Sequence, residues 1–159
     1  MRFSKKSEYA LRALIDLVAE QDRGPVRRED IARRQHIPVQ YLEQVLLRLR
    51  NAGLLASRRG LSGGYTLIKP PEQVTLGHVI RILDGPLAPI RCVSKTAYQE
   101  CDDCPYADRA HCPLQEAMRE VREAIVGVLD NYSLRYFSDG SKKSGRRRNR
   151  STSGAPMGA

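Results

Sequence analysis

The segment from Ile37 to Leu55 constrains this chain more than any other. Leu42, Val45, Leu46 and Leu49 fall at i, i+3, i+4 and i+7, which places them on one face of a helix. Pro38 suits the first turn of that helix, and Gly53 suits the position just past its end. The other face carries Gln40, Glu43, Gln44 and Arg48, with Tyr41 beside them. The next residues, Ser57-Arg58-Arg59-Gly60-Leu61-Ser62-Gly63-Gly64-Tyr65, read as a basic, glycine-rich hairpin tip. Strands over 54–58 and 65–69 flank that tip. An amphipathic helix with a hydrogen-bonding outer face thus leads directly into a cationic hairpin.

The flanking sequence completes a small helical body. Leu11, Leu14, Ile15 and Val18 predict a helix from about Ser4 to Gln21, ended by Gly24-Pro25. A shorter helix spans about Val26 to Gln35, with Ile31 and Ala32 inward. Thr75 can cap a fourth helix reaching Leu83. From Pro113 a long helix carries Leu114, Met118, Val121, Ile125, Val128 and Tyr132, a heptad-like stripe. One small domain offers little surface to cover so long a stripe, so it predicts self-association. The expected fold is mainly α with a small β-wing. A winged helix-turn-helix domain occupies 1–84, a cysteine-bearing loop 85–112, a dimerisation helix 113–137 and a disordered basic tail 138–159.

The net charge is +9, but five of those charges sit on residues 138–159, where six Lys/Arg face one Asp. The body is therefore only mildly basic, and local clustering matters more than the total. The major groove of B-DNA admits one helix, and its base edges suit Gln, Arg and Glu. Gln40, Gln44 and Arg48 recur every four residues, with Glu43 adjacent, and Tyr41 can reach a phosphate or a methyl group. Arginine suits the narrow, electronegative minor groove, which makes Arg58 and Arg59 wing contacts. Arg2, Lys5, Lys6 and Arg50 are candidate phosphate contacts. The tail residues Lys142, Lys143, Arg146, Arg147, Arg148 and Arg150 would add sequence-independent phosphate binding or simply aid solubility. The expected partners are a double-stranded DNA operator and a second copy of the chain. No membrane is expected: Arg12 and Asp16 interrupt the N-terminal apolar run, and a cytoplasmic location follows. No nucleophile–base arrangement, nucleotide loop or redox motif on a βαβ unit is visible, so no enzyme is expected. A small cysteine-based redox protein and a protein-binding winged helix are the competing readings.

Several motifs resemble the Rrf2 (Rrf-two) family of bacterial regulators, whose relatives include the IscR, NsrR, RirA and CymR types. They are Met1-Arg2-Phe3-Ser4-Lys5-Lys6-Ser7-Glu8-Tyr9-Ala10-Leu11-Arg12-Ala13-Leu14, Tyr41-Leu42-Glu43-Gln44, Leu49-Arg50-Asn51-Ala52-Gly53-Leu54, Arg59-Gly60, Gly63-Gly64-Tyr65 and Val79-Ile80 with Asp84-Gly85. The resemblance covers about 1–137. It implies a homodimer on a pseudo-palindromic operator, with the third helix in the major groove and the wing arginine in the minor groove. Base or groove contact thereby carries onto Gln40, Tyr41, Glu43, Gln44 and Arg59. Gly60, Gly63 and Gly64 would let the backbone approach DNA.

Four cysteines, Cys92, Cys101, Cys104 and Cys112, lie in one stretch spaced Cys-x8-Cys-x2-Cys-x7-Cys. Thiolates are soft ligands suited to zinc and to iron–sulfur clusters. A zinc ribbon would carry two Cys-x2-Cys pairs, and only one is present. Metal-free thiol chemistry is the further option. The resemblance implies a [2Fe-2S] or [4Fe-4S] cluster in this loop, held in many relatives by three cysteines and one outside ligand. The spacing and the fourth cysteine depart from that pattern. Glu8 corresponds to an acidic ligand that some relatives take from the partner subunit, and His111 is another candidate. Loss or gain of a cluster would reorder the loop and change the spacing of the two reading helices.

Overall fold

The computed structural model describes residues 3–106 and 112–137. Arg2, His111 and the basic tail 138–159 lie outside the described residues. Among the described residues, α-helices and a two-stranded sheet follow in the order α1 (Lys5–Ala19), α2 (Arg28–Gln35), α3 (Val39–Asn51), β1 (Leu55–Arg58), β2 (Gly64–Leu67), α4 (Leu76–Asp84) and α5 (Pro113–Asn131). The termini follow local chemistry. The Ser4 hydroxyl accepts the Ser7 amide at 3.2 Å to cap α1, and the Thr75 hydroxyl accepts the His78 amide at 3.1 Å to cap α4. His36 ends α2 with a left-handed backbone, φ 50°, and this reverses the chain into Pro38 and α3. Gly53 follows α3 at φ 73°, as a residue past a helix end often does.

The apolar stripes of α1, α2 and α3 meet in one core. Leu14, Ile31, Leu42, Leu46 and Leu49 are fully buried there, joined by Leu54 and Leu55 entering the wing and by Val79 from α4. One side-chain clamp fixes α2 against α1. Asp16 accepts from Arg34 Nε at 2.9 Å and Nη2 at 2.7 Å, and from Gln35 Nε2 at 3.1 Å. This clamp and the core aim α3 outward.

The strands β1 and β2 pair antiparallel, Leu55 opposite Leu67 and Arg58 opposite Gly64. Val26 adds a third rung. Its amide donates to the Tyr65 carbonyl at 3.0 Å and its carbonyl accepts the Tyr65 amide at 2.8 Å. The second helix therefore starts two residues later than its sequence pattern suggests, because Val26 is spent on the sheet.

The long helix is anchored at its C-terminal half. Leu129 packs with Ile80 and Leu87, and Ile125 and Val126 flank them. Beyond it the chain returns to the body. Leu76 N–H donates to the Tyr132 carbonyl at 2.9 Å, Leu134 N–H donates to the Val74 carbonyl at 2.8 Å, and Leu134 is fully buried in the main core. Arg81 Nη1 and Nη2 donate to Asp130 at 2.8 and 2.9 Å, which adds a polar tie between α4 and α5.

Candidate nucleic-acid interface and cysteine loop

A helix turns 100° per residue, so Gln40, Glu43, Gln44, Leu47 and Asn51 share the side of α3 opposite its buried leucines. All five are exposed. Tyr41, also exposed, leans on the Tyr9 ring of α1, with centroids 6.5 Å apart. Glu43 is already engaged: its Oε1 accepts from Arg28 Nη1 at 2.6 Å. Arg28 also donates to Glu29 at 2.7 Å, and these two carboxylates raise its pKa, the Glu29 hydrogen bond most. Arg48 is directed elsewhere; its Nη1 donates to the Leu83 carbonyl at the end of α4, at 3.3 Å. Leu47 escaped the sequence reading because an isolated leucine inside a leucine-rich helix looks like core. Its spacing from Gln40 and Gln44 was the signal that it faces outward.

The wing is stiffened by its own packing. Gly60 sits at φ 103°, where side chains are strained, and its carbonyl accepts the Gly63 amide at 2.9 Å to close the turn. Gly63 is buried, and a Cβ there would lie 2.3 Å from the Arg58 carbonyl oxygen. Gly64 presses on the Val26 backbone, where a Cβ would come within 2.6 Å. Arg27 donates to the Leu61 carbonyl, which ties the tip to the start of α2. Between wing and α2 lies a cleft of about 450 Å³ lined by Arg27, Arg28, Arg50, Arg58 and Arg59. Arg50 Nη1 also donates to Ser57 Oγ at 3.4 Å. The structure thus gathers Arg50, Arg58, Arg59, Gly60, Gly63 and Gly64 at one cationic edge, together with Arg27 and Arg28, which the sequence reading did not single out.

The start of α1 flanks α3 from the other side. Ser4, Lys5, Lys6, Tyr9, Tyr41 and Asp84 border a cleft of about 730 Å³. Lys5 Nζ pairs with Glu8 at 2.6 Å, and Arg12 Nη1 approaches the same carboxylate at 3.5 Å. The Lys5 hydrogen bond chiefly holds Glu8 below the ordinary carboxylate range. Burial pushes the Asp84 carboxyl up, but hydrogen bonds from the Ser4 hydroxyl and amide outweigh it and leave the net shift downward.

The cysteines sit between α4 and α5. Cys92 lies in a short 3-10 turn, Arg91–Val93; Cys101 and Cys104 lie in irregular chain; Cys112 immediately precedes α5. The neighbouring Cys92 thiol is the main influence pushing the Cys101 pKa up; burial and the charges of Cys92, Cys104 and Cys112 follow. Cys101 is therefore within electrostatic reach of the other three sulfurs. Among the described residues no group of three or more His, Cys, Asp or Glu is gathered tightly enough to hold a metal ion. The donor set is chemically suited to a metal or cluster, because thiolates are soft ligands for zinc and iron; of the four cysteines, Cys112 adjoins the positive N-terminal end of α5. The loop is tied to α5: Gln115 Nε2 donates to the Cys92 carbonyl at 3.0 Å, and Lys95 Nζ pairs with Glu123 at 3.2 Å.

A three-helix core, a helix with an exposed polar face and a rigid cationic hairpin together define a winged-helix DNA-binding protein. Comparison with known proteins gives the same class. The Rrf2 family, described as an iron-dependent transcriptional regulator, matches residues 3–139. The rrf2-like HTH-type transcriptional regulator of Rhodobacter capsulatus is 42% identical over 134 residues, 82% of this chain and 88% of that protein. IscR, an HTH-type transcriptional regulator of Serratia proteamaculans, is 38% identical over 134 residues, 84% of this chain and 77% of that protein. Among solved structures, CymR, the global cysteine regulator of B. subtilis, superposes with a TM-score of 0.72 at 32% identity, covering 88% of this chain and 98% of CymR. T. potens IscR gives 0.73 at 28% identity, covering 94% of each chain. The chain belongs to the Rrf2 family of transcriptional regulators. Among the described residues no helix is long and apolar enough to cross a membrane.

Proposed function

We propose that the chain is a homodimeric, sequence-specific regulator whose hold on an operator is set by chemistry at Cys92, Cys101, Cys104 and Cys112. The carrying observation is the position of the cysteine loop. It leaves the DNA-binding body at α4, and its Cys92 carbonyl is fastened to α5 by Gln115. The outer side of α5 leaves Leu114, Val121, Val128 and Tyr132 exposed, the apolar stripe that a second copy would cover. Any reordering of the loop therefore acts on the helix that sets the separation of two α3 helices. Half-sites tolerate little error in spacing. A coupling of about 1–3 kcal/mol changes operator affinity roughly 5- to 150-fold.

Four thiols on one loop, and a family described as iron-dependent, favour an iron–sulfur cluster, [2Fe-2S] or [4Fe-4S]. Such a group supplies a redox- and iron-sensitive link among the thiolates. Cys92, Cys101, Cys104 and Cys112 would supply four thiolate donors to such a group, and Glu8 is occupied by Lys5 and Arg12. We therefore assign the site to the thiols alone. On DNA, Gln40, Gln44, Leu47 and Tyr41 would read the major groove, with Glu43 orienting Arg28; Arg58 and Arg59 would enter the minor groove. Lys5, Arg50 and Arg27 would hold phosphates, and Arg48 braces α3 on α4.

The test is anaerobic purification, followed by an absorption spectrum, iron and sulfide analysis, and titration of duplex DNA with and without chelator. A brown protein whose operator affinity changes when iron is removed is expected. A colourless protein carrying no iron would overturn the cluster. A second reading, a metal-free thiol switch, is favoured by the Cys92–Cys101 contact. It predicts that the colourless protein loses two hydrogens in mass on mild oxidation and changes its DNA affinity.

A further inference from the structure

The wing tip presents an apolar side chain that DNA binding by arginines leaves unexplained. Leu61 is 91% exposed, the most exposed large hydrophobic residue of the described chain. It stands at the apex of the turn Gly60–Gly63, closed by a 2.9 Å hydrogen bond. The apex is not loose. Gly63 is wedged on the Arg58 carbonyl, Gly64 on Val26, and the Arg27 guanidinium holds the Leu61 carbonyl itself. The backbone contacts of the turn hold Leu61 at the apex, with Arg58 and Arg59 just before it in the chain.

We propose that Leu61 is a specificity-determining contact, seated in the minor groove of duplex DNA against deoxyribose walls and the edges of A·T pairs. This rests on the DNA-binding reading and names what one part of that site recognises. Charge complementarity selects the occupant. The cleft at the base of the wing, where Arg27, Arg28, Arg50, Arg58 and Arg59 outnumber Glu29, suits an anionic partner, and the minor groove lies between two phosphate chains. Its floor distinguishes base pairs mainly by the guanine amino group, which projects only from G·C pairs. That group would meet the Leu61 side chain without a hydrogen-bond acceptor to satisfy it, whereas the floor of an A·T tract leaves the space open. The same tracts are narrow, which brings the sugar walls against the leucine and strengthens the pull on Arg58 and Arg59. Apolar side chains are used in this groove by other DNA-binding proteins.

The experiment uses the full chain. Selection from a random duplex library yields its preferred site. That duplex is then rebuilt with the pairs under the wing as A·T, G·C or inosine·C. Inosine lacks the amino group, so inosine·C keeps the major groove of G·C while opening the minor groove. The expected result is A·T enrichment at the two outer flanks. Affinity should fall about tenfold on G·C and largely recover on inosine·C. In Leu61→Ser, affinity for the A·T duplex should fall about tenfold, the preference should vanish, and the salt slope should not change, because no phosphate contact is lost. Arg59→Ala is the contrast and should reduce the salt slope. Equal affinity of Leu61→Ser and wild type on all three duplexes would overturn the proposal. So would a loss with a smaller salt slope, or G·C and inosine·C behaving alike. If the wild-type chain selects no duplex at all, the DNA-binding reading fails, and that result is distinct from all of these.

Discussion

Replacing Arg34 with alanine should destabilise this protein more than replacing its partner Asp16. The pair is asymmetric. The Asp16 side chain is 6% exposed, while that of Arg34 is 34% exposed. Removing Arg34 strands a buried carboxylate with one neutral donor, Gln35 Nε2 at 3.1 Å. Breaking a fully buried ion pair costs about 3–5 kcal/mol. The remaining amide and the partial solvation of Arg34 lower that to roughly 2–3 kcal/mol. Removing Asp16 instead frees a guanidinium that already reaches solvent, and the cost is about 1 kcal/mol. A folded unit of this size loses about 4 °C of Tm per kcal/mol. Arg34→Ala should therefore melt about 10 °C below wild type, and Asp16→Ala about 4 °C below. Thermal unfolding of the full chain with chelator present measures both shifts, and urea unfolding gives the free energies; the chelator keeps bound metal from adding linkage stability. Because the clamp holds α2 against α1, and Arg28 on α2 holds Glu43, Arg34→Ala should also weaken DNA binding. If Asp16→Ala proves the more damaging change, or both lie within about 0.5 kcal/mol of wild type, the clamp does not act as described.

Gly63→Ala drives a Cβ to 2.3 Å from the Arg58 carbonyl. The exposed tip should deform rather than unfold the domain, so DNA affinity falls about tenfold while Tm moves by only about 2 °C; unaltered DNA binding would show that wing geometry is not needed. Val128→Glu puts a charge on an exposed position of the α5 stripe, 57% accessible; sedimentation should show folded monomers, with dimer dissociation strengthened about 100-fold, and an unchanged mass would remove this stripe as the interface. His78 has its pKa lowered by burial first, then by Lys69 and Arg81, against an opposing pull from Asp130. The unfolded chain therefore takes up this proton more readily, and the stability it confers is present above its ordinary value of 6.5 and lost as pH falls through the lower folded value. His78→Gln should flatten unfolding stability between about pH 7 and 5; an identical pH profile would refute that environment.

Much of the exposed face of α3 and of the wing was legible because it rests on local rules. Leu42, Val45, Leu46 and Leu49 can be buried only by turning Gln40, Glu43 and Gln44 outward, and glycines with two arginines make a tight cationic hairpin in almost any setting. The exposed stripe of α5 follows from the same periodicity. Partners distant in the chain were not legible. Arg48 shares the helical spacing of Gln40 and Gln44, yet its guanidinium is drawn to the Leu83 carbonyl, 35 residues away. Glu43 reads as a free base contact until Arg28 is found beside it.

The amino-acid order alone determined where the helices, the wing and the cysteine loop fall, since apolar period, caps and turn residues act within a few positions. Tertiary structure decided which polar groups remain available. That outcome depends on which charges folding brings together, as with Asp16 and Arg34 or Arg81 and Asp130. It also seated Leu134 in the core, an anchoring of the last helix that no local pattern encodes. Such pairings form across space, where Coulomb attraction and burial act without regard to separation along the chain.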